Sequence, residues 1–197
     1  MKITLIVAVS SLMIGCNTDT ESNTSASVSN SVTQPIFRPL NLNNNRVHLQ
    51  VPKEWTHLRD IHVFGPDCAV CSGSEYEYAV GTPDSTSLVS VSVTVFPAGD
   101  NQFRNAEQEL SIAAEKDPQA IMVDAIIDVA QQTSMVYFQS WRNRRAVYFA
   151  VKKIVRPYRT LSVYVQTPKT ADNMRVIKKI MRSVEVETSY MTEPLRR

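Results

Sequence analysis

Apolar and polar residues alternate through much of this chain, and the alternation predicts strands. The clearest is Leu88 to Phe96: Val89, Val91, Val93 and Val95 face one way, Ser90, Ser92 and Thr94 the other, and Pro97-Ala98-Gly99-Asp100 ends it. Val47, Leu49 and Val51 alternate with His48 and Gln50 in a half-buried strand stopped by Pro52, and Trp55 follows in a turn. Glu75 to Val80 reads as a further strand. Ser134 to Trp141, Arg145 to Val155 (with Val147, Phe149 and Val151 alternating) and Thr160 to Thr167 (Leu161, Val163, Val165) follow one another across short turns. That succession is the layout of an antiparallel meander. Elsewhere the period lengthens. Phe103, Ala106, Leu110 and Ala113 share one face of a helix over Asn101 to Lys116, and Met174, Ile177 and Met181 mark a second helix capped near Thr170. Ser183 to Val186 reads as a last edge strand. Residues 118–132 are open between helix and strand: Pro118 suits a helix start, whereas Ile121 to Val129 suits a strand. The order predicts an α+β domain, a mainly antiparallel sheet flanked by helices in an α/β/α sandwich.

The opening pattern is of another kind. Lys2 precedes an almost unbroken apolar run, Ile3 to Ile14. A dozen such residues fall short of the roughly 20 that span a bilayer, so the run reads as an export signal. Met13-Ile14-Gly15-Cys16 resembles the lipobox of bacterial lipoproteins, with Met13 where Leu is usual. The resemblance implies cleavage of residues 1–15, a lipid on Cys16 and attachment to the cell envelope through it. It also implies a domain facing the periplasm. Asn17 stands where lipoproteins retained in the inner membrane carry Asp, which points to the outer membrane. Residues 16–34 are rich in Ser, Thr and Asn and read as a disordered tether of roughly 20–25 Å root-mean-square reach. The globular domain is expected over 35–187, its folded part beginning between Pro35 and Val47, with 188–197 as a C-terminal tail. No later apolar run approaches 18 residues.

Charge adds a second asymmetry beneath a formal net of +2. Asn17 to Gln139 carries 6 Lys/Arg against 15 Asp/Glu, and Ser140 to Arg197 carries 14 against 4. Either the two parts interleave in the sheet and neutralise one another, or a basic face is prepared for anionic lipid or an acidic protein. Trp141 with Arg142, Arg144 and Arg145 falls at a hairpin tip, where an aromatic and arginines can anchor a partner. The competing reading is a solvated turn. Lys178, Lys179 and Arg182 suit the dipole at a helix end, and Asp124 and Asp128, four apart, suit a solvated acidic helix face.

Cys68 and Cys71 form a CxxC pair between loop signals, Gly65-Pro66-Asp67 before and Ser72-Gly73-Ser74 after. An exported compartment favours a structural disulfide. A redox dithiol, a metal site and free thiols are the alternatives. His57, His62, Cys68 and Cys71 have the types and number for tetrahedral zinc, in a spacing unlike the common finger patterns. Five glycines, at 15, 65, 73, 81 and 99, form no phosphate-cradling cluster. There is no GxSxG elbow or HExxH helix, and export argues against a nucleic-acid partner. No catalytic residue and no cofactor are expected.

Val47-His-Leu-Gln-Val-Pro-Lys-Glu-Trp55 resembles the opening strand and turn of the PsbP/Mog1-like superfamily, which includes periplasmic lipoproteins of the DcrB type. The valine-rich strand before a helix, the hairpin Ala146 to Val165 and the closing Met174 to Val186 fit the same pattern, over about Arg46 to Glu187. The resemblance implies a compact α/β/α module for protein binding or assembly assistance, and no functional residue carries over from it. The expected function is a lipid-anchored cell-envelope protein with a non-catalytic protein-binding domain, an assembly accessory or an immunity-type inhibitor. The alternatives are a thiol or metal protein using Cys68 and Cys71, and a module for envelope lipid or glycan.

Overall fold

The computed structural model describes residues 35–61, 73–96, 117–142 and 144–194, with Asn101, Gln108 and Ile112 between them. The chain divides into two units, Met1–Thr33 and Gln34–Arg197, and the described residues belong to the second. Cys16, His62, Cys68 and Cys71 lie outside the described residues, as does nearly all of the helix expected over Asn101 to Lys116. Gln108 and Ile112 within it are helical.

Ten strands and two helices are described. β1 (Phe37–Leu42), β2 (Val47–Pro52) and β10 (Glu185–Val186) form a small sheet in the order β1-β2-β10. The others are β3 (Thr56–Ile61), β4 (Gly73–Gly81), β5 (Leu88–Val95), β6 (Ile121–Asp128), β7 (Thr133–Arg142), β8 (Arg145–Val155) and β9 (Arg159–Pro168). They form a seven-stranded sheet in the order β3-β4-β5-β9-β8-β7-β6, and every pairing is antiparallel. Helix α1 (Ala171–Arg182) packs on β9, β8 and β2, and α2 (Thr188–Thr192) on β9. The α+β class with a mainly antiparallel sheet is thus as expected from the sequence. No helix among the described residues is long and apolar enough to cross a membrane.

The valine alternation of β5 does what its period implies. Val89, Val91 and Val93 oppose Val165, Val163 and Leu161 on one face, all fully buried, while Ser92 opposes Ser162 on the other. The inward face, α1 and the small sheet enclose the main core, in which Ile177, Ile180 and Met181 meet Leu49, Val51 and Trp55. The outward face carries a smaller cluster, Val136, Phe138 and Phe149, flanked by Ala125, Ile127 and Tyr164. Both faces of the middle of β7 are therefore covered, so Ser134 to Phe138 is buried without alternation. Thr170 caps α1: its Oγ1 accepts from the Asn173 N–H at 3.1 Å. At the other end the Lys152 ammonium, buried on the core face of β8, donates to the Met181 and Val184 carbonyls, each at 3.0 Å. A cation there complements the negative end of the helix dipole.

β1 begins the domain at Phe37, inside the expected window, and Asn43, Asn44 and Asn45, with φ of 48°, 55° and 62°, turn it into β2. Asn tolerates the left-handed region because its short side chain bonds locally. Thr56 to Ile61 forms strand β3, which the alternation did not announce, so His57 sits in a sheet opposite Val80 and stacks on Tyr78, 5.0 Å between centroids. Residues 121–128 are strand, so Asp124 and Asp128 share a strand face and not a helix face. Residues 188–197 are more than a tail: α2 buries Tyr190 and Met191, because the chain returns under β9 with two large side chains to cover.

Burial raises the phenols of Tyr137, Tyr164 and Tyr190 above their ordinary value of 10, and for Tyr190 the hydrogen bond to Glu75 raises it further. Each holds its proton longer folded than unfolded, so above pH 10 stability falls by up to about 1.4 kcal/mol per pH unit per phenol. Lys152 acts oppositely. Burial lowers it, partly offset by Glu185, so the folded chain releases that proton first and stability gains toward pH 10.5. Three phenols outweigh one ammonium. Denaturant unfolding above pH 10 is expected to show a falling slope that Tyr190→Phe makes shallower; a flat profile there would refute this.

Candidate functional site

The hairpin β7–β8 turns at Arg144, which has φ of 62°. Alternation along β7 separates the residues that the sequence groups at this tip. Arg142 points to the outward face, where its Nε and Nη1 have acceptors. Nε donates to Asp117 Oδ2 at 3.2 Å, and Nη1 donates to Tyr164 Oη and Gln166 Oε1, each at 2.7 Å. The group also lies 4.9 Å over the Phe149 ring. Burial alone would raise the Asp117 carboxyl, but hydrogen bonds from Ser140 and Arg142 hold it below the ordinary value. Arg142 is thus a structural clasp over a 410 Å³ hollow floored by Phe138, Phe149 and Tyr164, on the face opposite Trp141.

Trp141, one residue earlier, leaves the sheet on the opposite face and is 63% exposed. With Pro118, Gln119, Ile121 and Arg144 it lines an open groove of 770 Å³. Arg144 and Arg145 are exposed and make no ion pair among the described residues. The structure therefore brings Trp141 and Arg144 together as the sequence suggests, and adds Ile121 and Gln119 from the approach to β6. From Ile121 the apolar surface continues along β6, with Val123, Ile126 and Val129 exposed. The helix-or-strand ambiguity of residues 118–132 hid this strip, although the run of apolar residues without one clean period was its signal.

Three ion pairs offset part of the charge asymmetry inside the fold. Arg142–Asp117, Arg159–Glu75 (2.9 Å) and Lys178–Asp124 (3.1 Å) each join the basic later part to the acidic earlier part. What remains concentrated is the hairpin tip and one side of α1, where Arg175, Lys178, Lys179 and Arg182 border a 520 Å³ groove. Among the described residues no cluster of His, Cys, Asp and Glu is placed to hold a metal. Of the residues considered for zinc only His57 is described.

No family model matches this chain, and no curated protein matches it. Solved structures do share its architecture in part. PsbP of Synechocystis sp. PCC 6803 is similar over 85% of this chain and 98% of its own, at 10% identity and a TM-score of 0.49. LpqN, involved in cell envelope biogenesis of Mycobacterium tuberculosis, is similar over 77% of this chain and 90% of its own, at 11% identity and a TM-score of 0.45. A Bacteroides thetaiotaomicron protein is similar over 77% of this chain but 49% of its own, at 13% identity and a TM-score of 0.43. These are likenesses of fold, and no activity is taken from them.

Proposed function

We propose that this is a lipid-anchored cell-envelope protein, held through Cys16, whose domain performs no chemistry and binds another envelope protein as an assembly accessory or immunity-type inhibitor. The observation that carries the reading is the groove at the β7–β8 tip, where exposed Trp141 and Ile121 stand beside Arg144, a cation with no ion pair among the described residues. A large aromatic exposed next to arginine is the composition of an interface anchor, since both give much contact area for few rotatable bonds. Burying Trp141 alone would remove enough apolar surface to supply about 2–3 kcal/mol of association energy. The lipobox resemblance of residues 13–16 supports the envelope address, and Asn17 supports the outer membrane within it.

The test places a photo-crosslinking amino acid at Gln119, at the groove wall, in cells that make the full chain. Irradiation is expected to give one discrete protein adduct in the envelope fraction, reduced at least tenfold by Arg144→Glu/Arg145→Glu. Cys16→Ser is expected to release the protein from the membrane fraction. An unchanged adduct pattern in the charge-reversed variant would sink the binding assignment.

A further inference from the structure

β6 ends the order of the seven-stranded sheet, so among the described residues one of its backbone edges has no strand beside it. Exposed edges are usually blunted by lysine, proline or a bulge, because a row of unpaired N–H and C=O groups recruits other chains. β6 has a register shift between Met122 and Asp124, but neither lysine nor proline. Its exposed residues are instead Ile121, Met122, Val123 and Ile126, with Asp128 at its end. Helix α1 lies over β8 and β9 and leaves this flank of the sheet open, reaching β6 through Lys178 on Asp124. The charges around the edge are graded. Arg144 stands beside Ile121 at one end, whereas at the other Asp128 is exposed and accepts from the Gln131 N–H.

From this we infer that the partner presents an extended acidic segment, which adds to the free edge of β6 as a strand with its acidic residues at the Ile121 end. This rests on the protein-binding reading and names its mode. Main-chain pairing supplies affinity and alternate side chains supply specificity in such additions. The partner's apolar residues would rest on Ile121, Ile126 and Trp141, and its acids would meet Arg144. Acids at the far end would instead face Asp128, which sets the direction. A lipid surface would answer the apolar strip and the cations, but it has no use for a row of unpaired backbone groups.

The probe is a displayed library of random dodecapeptides, panned against the detergent-solubilised full chain and counter-panned against an Ile126→Lys variant. Selected peptides are expected to alternate apolar residues, to carry Asp or Glu toward one end and to slow hydrogen exchange of the β6 amides. Their affinity is expected to fall at least tenfold in Ile126→Lys, in Ile121→Lys and in Arg144→Glu/Arg145→Glu. Both lysines enter exposed positions, and unchanged unfolding curves would confirm the fold. The inference is overturned if the selected peptides leave β6 exchange unchanged, or if phosphatidylglycerol vesicles bind and lose binding in the same variants. It is overturned equally if the chain dimerises through this edge and Ile126→Lys abolishes the dimer. A Gln119 adduct that survives Ile126→Lys would leave protein binding standing and remove strand addition alone; absence of any adduct would remove both.

Discussion

A chain ending at Glu187 is expected to lose more than about 5 kcal/mol of stability, and so to fold poorly or not at all at growth temperature. Residues 188–197 hold α2, and α2 buries Tyr190 and Met191 against β9 and the main core. Emptying a buried methionine site costs about 2–5 kcal/mol by itself. Tyr190 adds an aromatic ring and a hydroxyl that donates to Glu75 Oε2 at 2.8 Å and accepts from Asn43 Nδ2 at 2.8 Å. An ordinary domain has only about 5–15 kcal/mol in total. The truncated chain should show weak near-ultraviolet dichroism and early denaturant unfolding. Met191→Ala, the milder change, should lower stability by about 2–5 kcal/mol. A truncated protein that unfolds within about 1 kcal/mol of the full chain would mean that α2 is dispensable.

Arg159→Met should cost about 3 kcal/mol. The arginine is almost wholly buried and joins three parts of the domain: Nε donates to Glu75 Oε2 on β4 at 2.9 Å, and Nη1 donates to the Tyr190 carbonyl at 2.9 Å and to the Glu193 carbonyl. Its guanidinium also lies 4.7 Å from the centre of the Tyr190 ring. Removing one partner of a buried pair costs about 3–5 kcal/mol, because the other charge is left behind. Glu75 retains some access to water, which places the loss toward the lower end. Equilibrium unfolding measures it, and Glu75→Gln/Arg159→Met should cost less than the two single changes added together. Simple additivity would show that the pair is not coupled. Arg159→Met and truncation should also be non-additive, since the removed segment carries both carbonyls that Arg159 binds.

Reading the sequence alone recovers elements wherever one face of a strand or helix is buried and the other wet. β5, β9 and α1 are such cases, and their limits agree closely with the alternation or the 3.6-residue period. β8 shows the limit of the method. Its alternating Val147, Phe149 and Val151 face the outward cluster, while the main core receives Ala150 and Ile154 and the stem of Lys152. Period reveals that a face is apolar without revealing which layer it meets. β3 and β1 escaped because they are short and lack a clean alternation. β1 was nonetheless signalled by its three consecutive asparagines, residues that accept the left-handed turn the hairpin requires.

The site was legible in a similar proportion. Trp141, Arg144 and Arg145 at a turn are a local fact, readable from neighbours in the chain. That Arg142 belongs to a different surface follows from strand parity, but its engagement by Asp117, Tyr164 and Gln166 depends on partners 22 to 25 residues away. Ile121 joins the groove because residues 121–128 pair with β7, a long-range event that no local period announces.

What the sequence by itself determined is therefore the alternation that builds an antiparallel α+β sheet, the aromatic and basic hairpin tip, and an opening segment that reads as an envelope address. Only the tertiary structure decided that α2 completes the core, that three ion pairs join the acidic and basic parts of the chain, and that β6 stands at an edge. The reason is physical: periodicity records each residue's immediate environment, whereas edge, ion pairing and closure depend on which distant segments pack together.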